Sequence, residues 1–299
     1  MAEMLNYMLS EYADLPLPRE ILRNWLEKWI YEQEKRCADK NFSARFPWNE
    51  TGLPQEYFLQ RKLSIDGRQF LTGPRYQGGD INRPFIDIVG SNSDIDHSVL
   101  KAVSKEWAHL KPQHIRILMS GHHKVQGITD QLIYASCLSD VPEYRDDTLK
   151  IAPAVYADLK WCRQALAEAY QHTFLTVPAL KNNLYSMEED ELSNHILEGD
   201  VYIFQEYGIR VGLIICGKGE IAFLQGYRIS EEVILPTFRG RSLASRAQRL
   251  LCNHLYRSSR KTPLITGTII PGNVPSIKTA ERAGRTCILK YQFLPVIFS

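Results

Sequence analysis

From Val233 to Ala280 the chain carries no aspartate and no glutamate, although its net charge as a whole is only +2. The same span holds Arg239, Arg241, Arg246, Arg249, Arg257, Arg260, Lys261 and Lys278. A local field of one sign that composition does not explain points to an anionic ligand. Other absences exclude whole classes. No apolar run approaches the roughly 20 residues of a membrane span, so no membrane partner is expected. The opening Met1–Asn6 lacks the basic and apolar regions of a secretory leader. Cys37, Cys137, Cys162, Cys216, Cys252 and Cys287 form no CxxC pair and sit mostly in apolar contexts. Reduced core thiols and a cytoplasmic location are the expectation. His122 and His123 have no further ligands around them, so they read as a loop pair and no metal is expected. No low-complexity tract breaks the sequence, which argues against a long disordered linker.

What is present is ordinary globular material, 44% hydrophobic and 23% charged. A length of 299 residues suggests two domains. The most informative stretch is Ile229–Leu243 together with the helix after it. A short apolar run ends at Pro236, a small basic turn comes next, and a helical pattern begins near Ser242. Leu243, Ala247, Leu250, Leu251 and Leu255 recur at helical spacing and predict a core-facing stripe. Arg246, Arg249, Arg257 and Arg260 fall on a separate stripe. A strand, a tight turn and a helix N-terminus together offer free amides and the positive end of the helix dipole, which hold a phosphate well.

The segment Pro236-Thr-Phe-Arg239-Gly240-Arg241-Ser242-Leu243-Ala244 resembles motif A of the GNAT N-acetyltransferases, Arg/Gln-x-x-Gly-x-Gly/Ala after a strand. Arg239 and Ala244 match, and Ser242 stands where the pattern has its middle glycine. A serine there is strained if the position requires positive φ. Asn273-Val-Pro-Ser276, followed by a helix ending near Gly284, resembles motif B. The order around them agrees over Leu149–Phe298. A strand precedes helices at Ala154–Tyr170 and Met187–Leu197. Strands follow at Val201–Phe204, Val211–Cys216, Ile221–Gln225 and Ile229–Leu235, turning at Tyr207-Gly208 and Gly217-Lys218-Gly219. After the basic helix come a strand at Pro263–Ile270, paired parallel to its predecessor, the motif-B helix, and a last strand or hairpin at Cys287–Phe298.

The first half repeats this order in outline. A helix opened by Pro18 carries Ile21, Leu22, Trp25, Leu26, Trp29 and Ile30 on one apolar face. Glu56–Ile65 and Arg68–Thr72 read as strands joined by Asp66-Gly67, and Gly73–Pro84 as a loop. A strand at Phe85–Val89, a turn at Gly90–Asp94, a helix at Ile95–Leu110, a strand at His114–Met119 and a weaker helix at Thr129–Cys137 follow. The turn here has no arginine, and Asp94 and Asp96 would repel a pyrophosphate. The predicted fold class is therefore α/β (α+β): two GNAT-like domains, each a mixed, mostly antiparallel sheet flanked by helices. Residues 1–146 form the degenerate copy and residues 147–299 the acetyl-CoA domain, with the join at Tyr144–Thr148.

The resemblance implies an N-acetyltransferase that moves an acetyl group from acetyl-CoA, its co-substrate, by direct attack to an amine, that of a small molecule or of a protein lysine or N-terminus. It implies that amides of Arg239, Gly240, Arg241, Ser242, Leu243 and Ala244 hold the pyrophosphate. Backbone at Val233, Ile234 and Leu235 would engage the pantetheine arm and thioester oxygen, and Asn273 and Ser276 would orient the coenzyme. Such chemistry needs a neutral amine, a donor to the developing oxyanion and a proton for the thiolate. Glu232, on the same side of its strand as Ile234, is the candidate base; pairing with an arginine is its structural alternative. The tyrosine that many GNAT proteins carry seven residues after the motif-B asparagine is Ala280 here, and the final Gly-Phe is Gly284-Arg285. Ser276, Tyr291 or Tyr227 would have to supply the acid. The alternative function is an acyl-CoA-binding protein without turnover. A nucleic-acid partner ranks third, because the basic stripe has few interleaved aromatics. Gly73–Pro84 and Gly121–Gly127 are expected to shape the acceptor cleft, and Asp200, Glu206 and Glu220 to attract a cationic amine.

Overall fold

A computed structural model describes residues 1–123, 126–258 and 264–298. In chain order the elements are α1 (Ala2–Glu11), α2 (Arg19–Lys35), the single-turn α3 (Lys40–Ser43) and α4 (Trp48–Thr51), β1 (Arg61–Ile65), β2 (Arg68–Tyr76), β3 (Pro84–Ser91), α5 (His97–Glu106), β4 (His114–Ser120) and β5 (Ile128–Cys137). Beyond these lie β6 (Leu149–Pro153), α6 (Leu159–Thr176), α7 (Glu189–Glu198), β7 (Val201–Glu206), β8 (Ile209–Ile221), β9 (Leu224–Ile234), α8 (Leu243–Ser258), β10 (Leu264–Ile269), α9 (Val274–Arg282) and β11 (Thr286–Pro295). Strand pairing is mostly antiparallel, with β3–β4 and β9–β10 parallel. The mixed α/β class expected from the sequence is what these ladders show.

Two compact units divide the chain, Met1–Gln131 with Ile288–Ser299, and Leu132–Cys287. Neither border falls at the join expected after Asp146. The reason is the last strand: β11 pairs with β4 from Leu289–Ser120 to Pro295–His114, and so completes the first unit. The second unit in turn takes its first strand from before the expected join, through β5 paired with β10 from Cys137–Leu264 to Leu132–Ile269. The predicted helix at Thr129–Cys137 is thus a strand. Its Ile133, Tyr134 and Ala135 are all buried, a consecutive apolar run that periodicity does not separate from a helix.

In the first unit Asp66 (φ 50°) and Gly67 (φ 79°) make the tight turn that their chemistry predicts between β1 and β2. The first strand is shorter than expected, because Gln55–Phe58 is a turn of 3-10 helix. The second is longer: β2 runs on to Tyr76 through what reads as loop. Val99 and Val103 of α5, with Trp107 just past its end, close over β3 and β4, and the Trp107 indole donates to Thr72 Oγ1 at 3.0 Å. In the second unit, Leu243, Ala247, Leu251 and Leu255 of α8 cover one face of β6–β9, and Cys162, Leu166 and Ala169 of α6 cover the other. Gly217-Lys218-Gly219 is not a turn. It continues β8, where a Cβ on Gly217 would collide with the Asp200 carboxylate. The reversal falls instead at Ala222, at φ 52°, so the expected four-strand meander is three strands. An alanine in the left-handed region carries no turn signal. Arg260, Lys261 and Pro263, and part of the expected 121–127 loop, lie outside the described residues.

Candidate active site

The site of the second unit starts from a fork between two parallel strands. Tyr227, Arg228 and Ile229 of β9 pair with Ile265, Thr266 and Gly267 of β10, and there the parallel ladder ends. β9 runs on to Ile234 against β8, while β10 runs on against β5. A bulge sits at the parting point. Cys216 faces Ile229 and Ile215 faces Glu231, which leaves Ser230 as the extra residue. Bulges of this kind increase twist and turn a strand away from its neighbour. At the closed end of the fork, a Cβ on Gly226 would collide with the Leu264 carbonyl oxygen, so only glycine allows the approach.

Beyond the bulge the polar edge of β9 is open. The Leu235 amide donates to Val211 O at 2.9 Å, so by antiparallel alternation the polar groups of Glu232 and Ile234 face the fork. The Ile234 carbonyl accepts from Arg239 Nε at 3.1 Å. Val233 and Ile234 line the resulting cavity of about 590 Å³, while Leu235 is not among its lining residues.

The turn into α8 has Gly240 at φ 80° and Ser242 at φ 57°. Ser242 therefore adopts the left-handed conformation in which a serine is strained. Its Oγ does not cap the helix; it accepts from Arg282 Nη1 at 3.4 Å. The first-turn amides of α8 have no intrahelical acceptor, and Gly240, Ser242, Leu243 and Ala244 line the cavity.

The arginines do less than the sequence suggests. Arg239 is a clasp: besides Ile234 O, its Nη2 donates to Ala169 O at 3.0 Å and Thr173 Oγ1 at 3.3 Å, tying the loop to α6. Arg241 lies outside the cavity lining and pairs with Glu206 Oε2 at 2.5 Å. Arg246 is held by Asp146 at 2.7 and 2.8 Å and by Glu206 at 3.3 Å. Its guanidinium keeps the Asp146 carboxyl well below the ordinary range. Arg257 pairs with Glu143, and Arg249 stacks on Tyr144. Much of the basic stripe is thus neutralised by acids upstream in the same unit. Glu206 is spent on Arg241 and Arg246, and Asp200 lies 3.3 Å from His195.

α9 brings the other side. Asn273 caps it, accepting from the Ser276 amide at 3.4 Å, and both residues line the cavity with Lys278 and Arg282. Arg282, beside the α8 start, and Lys278, one turn earlier on α9, are exposed cations to which the two motifs assign no role. Helical spacing from Asn273 is the signal that could have found them.

Two adjacent carboxyls of β9 line the cavity on opposite faces. Glu232 lies across from Ile214, on the α8 face, and Glu231 across from Ile215, on the α6 face. Burial pushes both up to about 7, against the opposing pull of Arg285 and Gln248 on Glu232 and of Tyr170 on Glu231. Glu232 Oε2 accepts from Gln248 Nε2 at 2.7 Å, and Gln248 Oε1 accepts from Arg285 Nε and Nη2 at 3.1 and 3.0 Å. Glu232 is thus coupled to an arginine through one amide, as its structural alternative anticipates. Its buried Oε1, like Arg285 Nη1, makes no hydrogen bond among the described residues. Strand alternation alone turns Glu231 away from the site, yet it receives the Tyr170 hydroxyl at 2.8 and 3.0 Å inside the cavity.

Two candidate acids are not among the lining residues of this cavity. Tyr291 belongs to β11 and the first unit, half-buried with its ring centroid 4.1 Å from the Arg116 guanidinium. Tyr227 packs into the α8 core. Ala280 is fully buried under Tyr134 and Ile269.

No family model matches the chain, and no curated protein matches it. Solved structures do. An acetyltransferase of the GNAT family from Colwellia psychrerythraea is similar at a TM-score of 0.49 and 9% identity, over 98% of this chain and 96% of its own. A GCN5-related N-acetyltransferase from Sphaerobacter thermophilus gives 0.46 and 14%, over 77% and 78%. A Drosophila protein gives 0.45 and 13%, over 100% and 96%. The fork, the bulge and the uncapped helix start stand on the ladders of this chain alone.

Proposed function

We propose that the second unit binds acetyl-CoA, or a related acyl-CoA, and moves its acyl group to an amine by direct attack. The observation that carries this is a parallel pair parted by a bulge, opening onto the free amides of a helix start within one cavity. Amides at Gly240, Ser242, Leu243 and Ala244 receive the diphosphate, with Lys278 and Arg282 beside it. Backbone groups of β9 at Glu232 and the amide of Ile234 take the pantetheine arm, and an amide there donates to the thioester oxygen as charge develops. Asn273 and Ser276 flank the same arm. The nitrogen attacks the thioester carbon, the C–N bond forms, and the C–S bond breaks to release the coenzyme thiol. Of the two carboxyls in the cavity, one accepts the proton the amine must lose.

Calorimetry with acetyl-CoA on the parent and Ser242→Asp tests the reading. Aspartate tolerates the left-handed conformation but sets a negative charge against the diphosphate. Loss of binding with an unchanged melting temperature is expected, and unchanged affinity refutes the loop. A second reading, an acyl-CoA-binding protein without turnover, is favoured by Ala280 and by the commitment of Arg239, Arg241 and Arg246 to other partners. Binding with no thiol release across a broad amine panel would establish it.

A further inference from the structure

We propose that the acceptor is a small primary amine on an uncharged, apolar chain, and that Glu231, held by Tyr170, is the base that receives its nitrogen; this rests on the acyl-transfer reading above. The cavity is chemically two-ended. Arg282 of α9 stands with Ser242 at the end assigned to the coenzyme diphosphate, and Lys278 lines the cavity one helical turn from it. On the α6 side the wall is Val177, Leu180 and Leu184, with the Glu231 carboxyl at its polar point.

No cation is left over for an anionic acceptor at that end. Among the described lining residues the remaining cations are Arg239 and Arg285. Arg239 is committed to two carbonyls and the Thr173 hydroxyl, and Arg285 to Gln248. The charged and titratable groups acting on Glu231 are Tyr170 of α6 and Glu191 of α7, and the second of these adds negative potential. An ammonium is therefore drawn in, and a carboxylate beside it is repelled with nothing to pair it. The apolar wall receives the hydrocarbon that such an amine carries.

The Tyr170 hydroxyl fixes the carboxyl by bridging both oxygens, and it also lies 3.2 Å from Tyr185 O. The Met187 amide is a second donor to the carboxyl, and the lone pairs that these two donors leave stay available. The ammonium gives one proton to the Glu231 carboxylate, the neutral nitrogen attacks the thioester carbon, and the second nitrogen proton leaves on the coenzyme thiol. The Glu231 proton then returns to solvent, which balances the step. Its carboxyl, at about 7, is matched to that exchange near neutral pH.

The experiment pairs amines that differ only by a carboxylate, phenethylamine against phenylalanine and hexylamine against 6-aminohexanoate, after calorimetry has established acetyl-CoA binding. The plain amines should exceed their carboxylate partners in kcat/KM by about 100-fold. Glu231→Gln should lower kcat/KM for the plain amines about 100-fold, abolish the rising limb of the pH profile, and leave coenzyme affinity intact. Tyr170→Phe removes a donor that favours the ionised carboxyl, so the limb should move to higher pH, a shift that a merely structural tyrosine would not cause. Equal use of both members of each pair, or a Glu231→Gln enzyme with parental rate and pH profile, overturns this assignment while acyl transfer stands. A parent that fails to bind acetyl-CoA takes down both.

Discussion

Each unit has a bulged strand that parts from a parallel neighbour, and the two forks end differently. In the first, Gly90 faces Leu71 and Ile88 faces Thr72, so Val89 is the extra residue, and parallel pairing with β4 stops at Ile88–Ile117. In the second, Ser230 is extra and pairing stops at Ile229–Gly267. The first fork is filled by its own unit. The Trp29 indole of α2 donates to the Val89 carbonyl at 2.8 Å, and the Tyr12 hydroxyl donates to Leu118 O at 3.1 Å. Met4 of α1 packs where a Cβ on Gly90 would come within 2.9 Å of its sulfur. The helix start is closed as well. Asp96 caps α5 by accepting from Val99 N at 3.0 Å, and Arg68 holds Asp96 at 2.7 Å. The second fork has no such plug among the described residues, and the Ser242 hydroxyl leaves its helix start uncovered. A split strand pair is thus only an opportunity. What the chain places in the opening decides whether it is core or site.

That contrast can be broken or sharpened by substitution. The largest effect is expected from Ser242→Asp, which gives the second helix start an acid as the first one has. Calorimetry should show acetyl-CoA affinity falling by more than about 100-fold. Trp29→Ala should unplug the first fork at a cost of about 3 kcal/mol in denaturant unfolding. It should confer no coenzyme binding, because Asp96 remains at the helix start. Asp146→Asn should cost about 2 kcal/mol by loosening Arg246, and unfolding should again read it. Ser242→Gly should stabilise by about 1 kcal/mol, since glycine adopts φ 57° without strain.

The smallest effect is one of pH. Burial raises the Glu231 carboxyl from 4.5 to about 7, so the folded protein resists its ionisation. The resulting penalty is absent below the ordinary carboxyl range, develops as pH rises through it, and is complete above the raised value. Glu231→Gln should therefore gain more melting temperature at pH 8 than at pH 5. Equal gains at both would show that the carboxyl is not held neutral.

Much of the second fork was legible because its signals are local. The stripe of Leu243, Ala247, Leu251 and Leu255 is a property of one helix, and the Gly240 turn and the Asn273 cap are properties of short segments. The left-handed conformation of Ser242 could be anticipated from the glycine it replaces. Partnership was not legible. Arg241 and Arg246 look like phosphate ligands until Glu206 and Asp146, far upstream, are folded against them. Glu231 looks idle because alternation gives its face but not Tyr170, which reaches it from another helix. The unit of Tyr291 was not legible for the same reason, since position in the chain does not say which unit a strand joins. The strand at Ile128–Cys137 escapes periodicity because a fully covered strand has no alternation to read.

The placement of β11 has a consequence for how the protein is made. It leaves the ribosome after every other strand of either unit, yet it completes the unit that was begun first. The stretch from Leu132 to Cys287 has its β5–β10 ladders available before β11 emerges, so the later unit is free to close first. Until β11 arrives, β4 keeps an open edge that invites pairing with a neighbouring nascent chain. Slow emergence of β11 should therefore prolong chaperone contact at the exposed β4 edge.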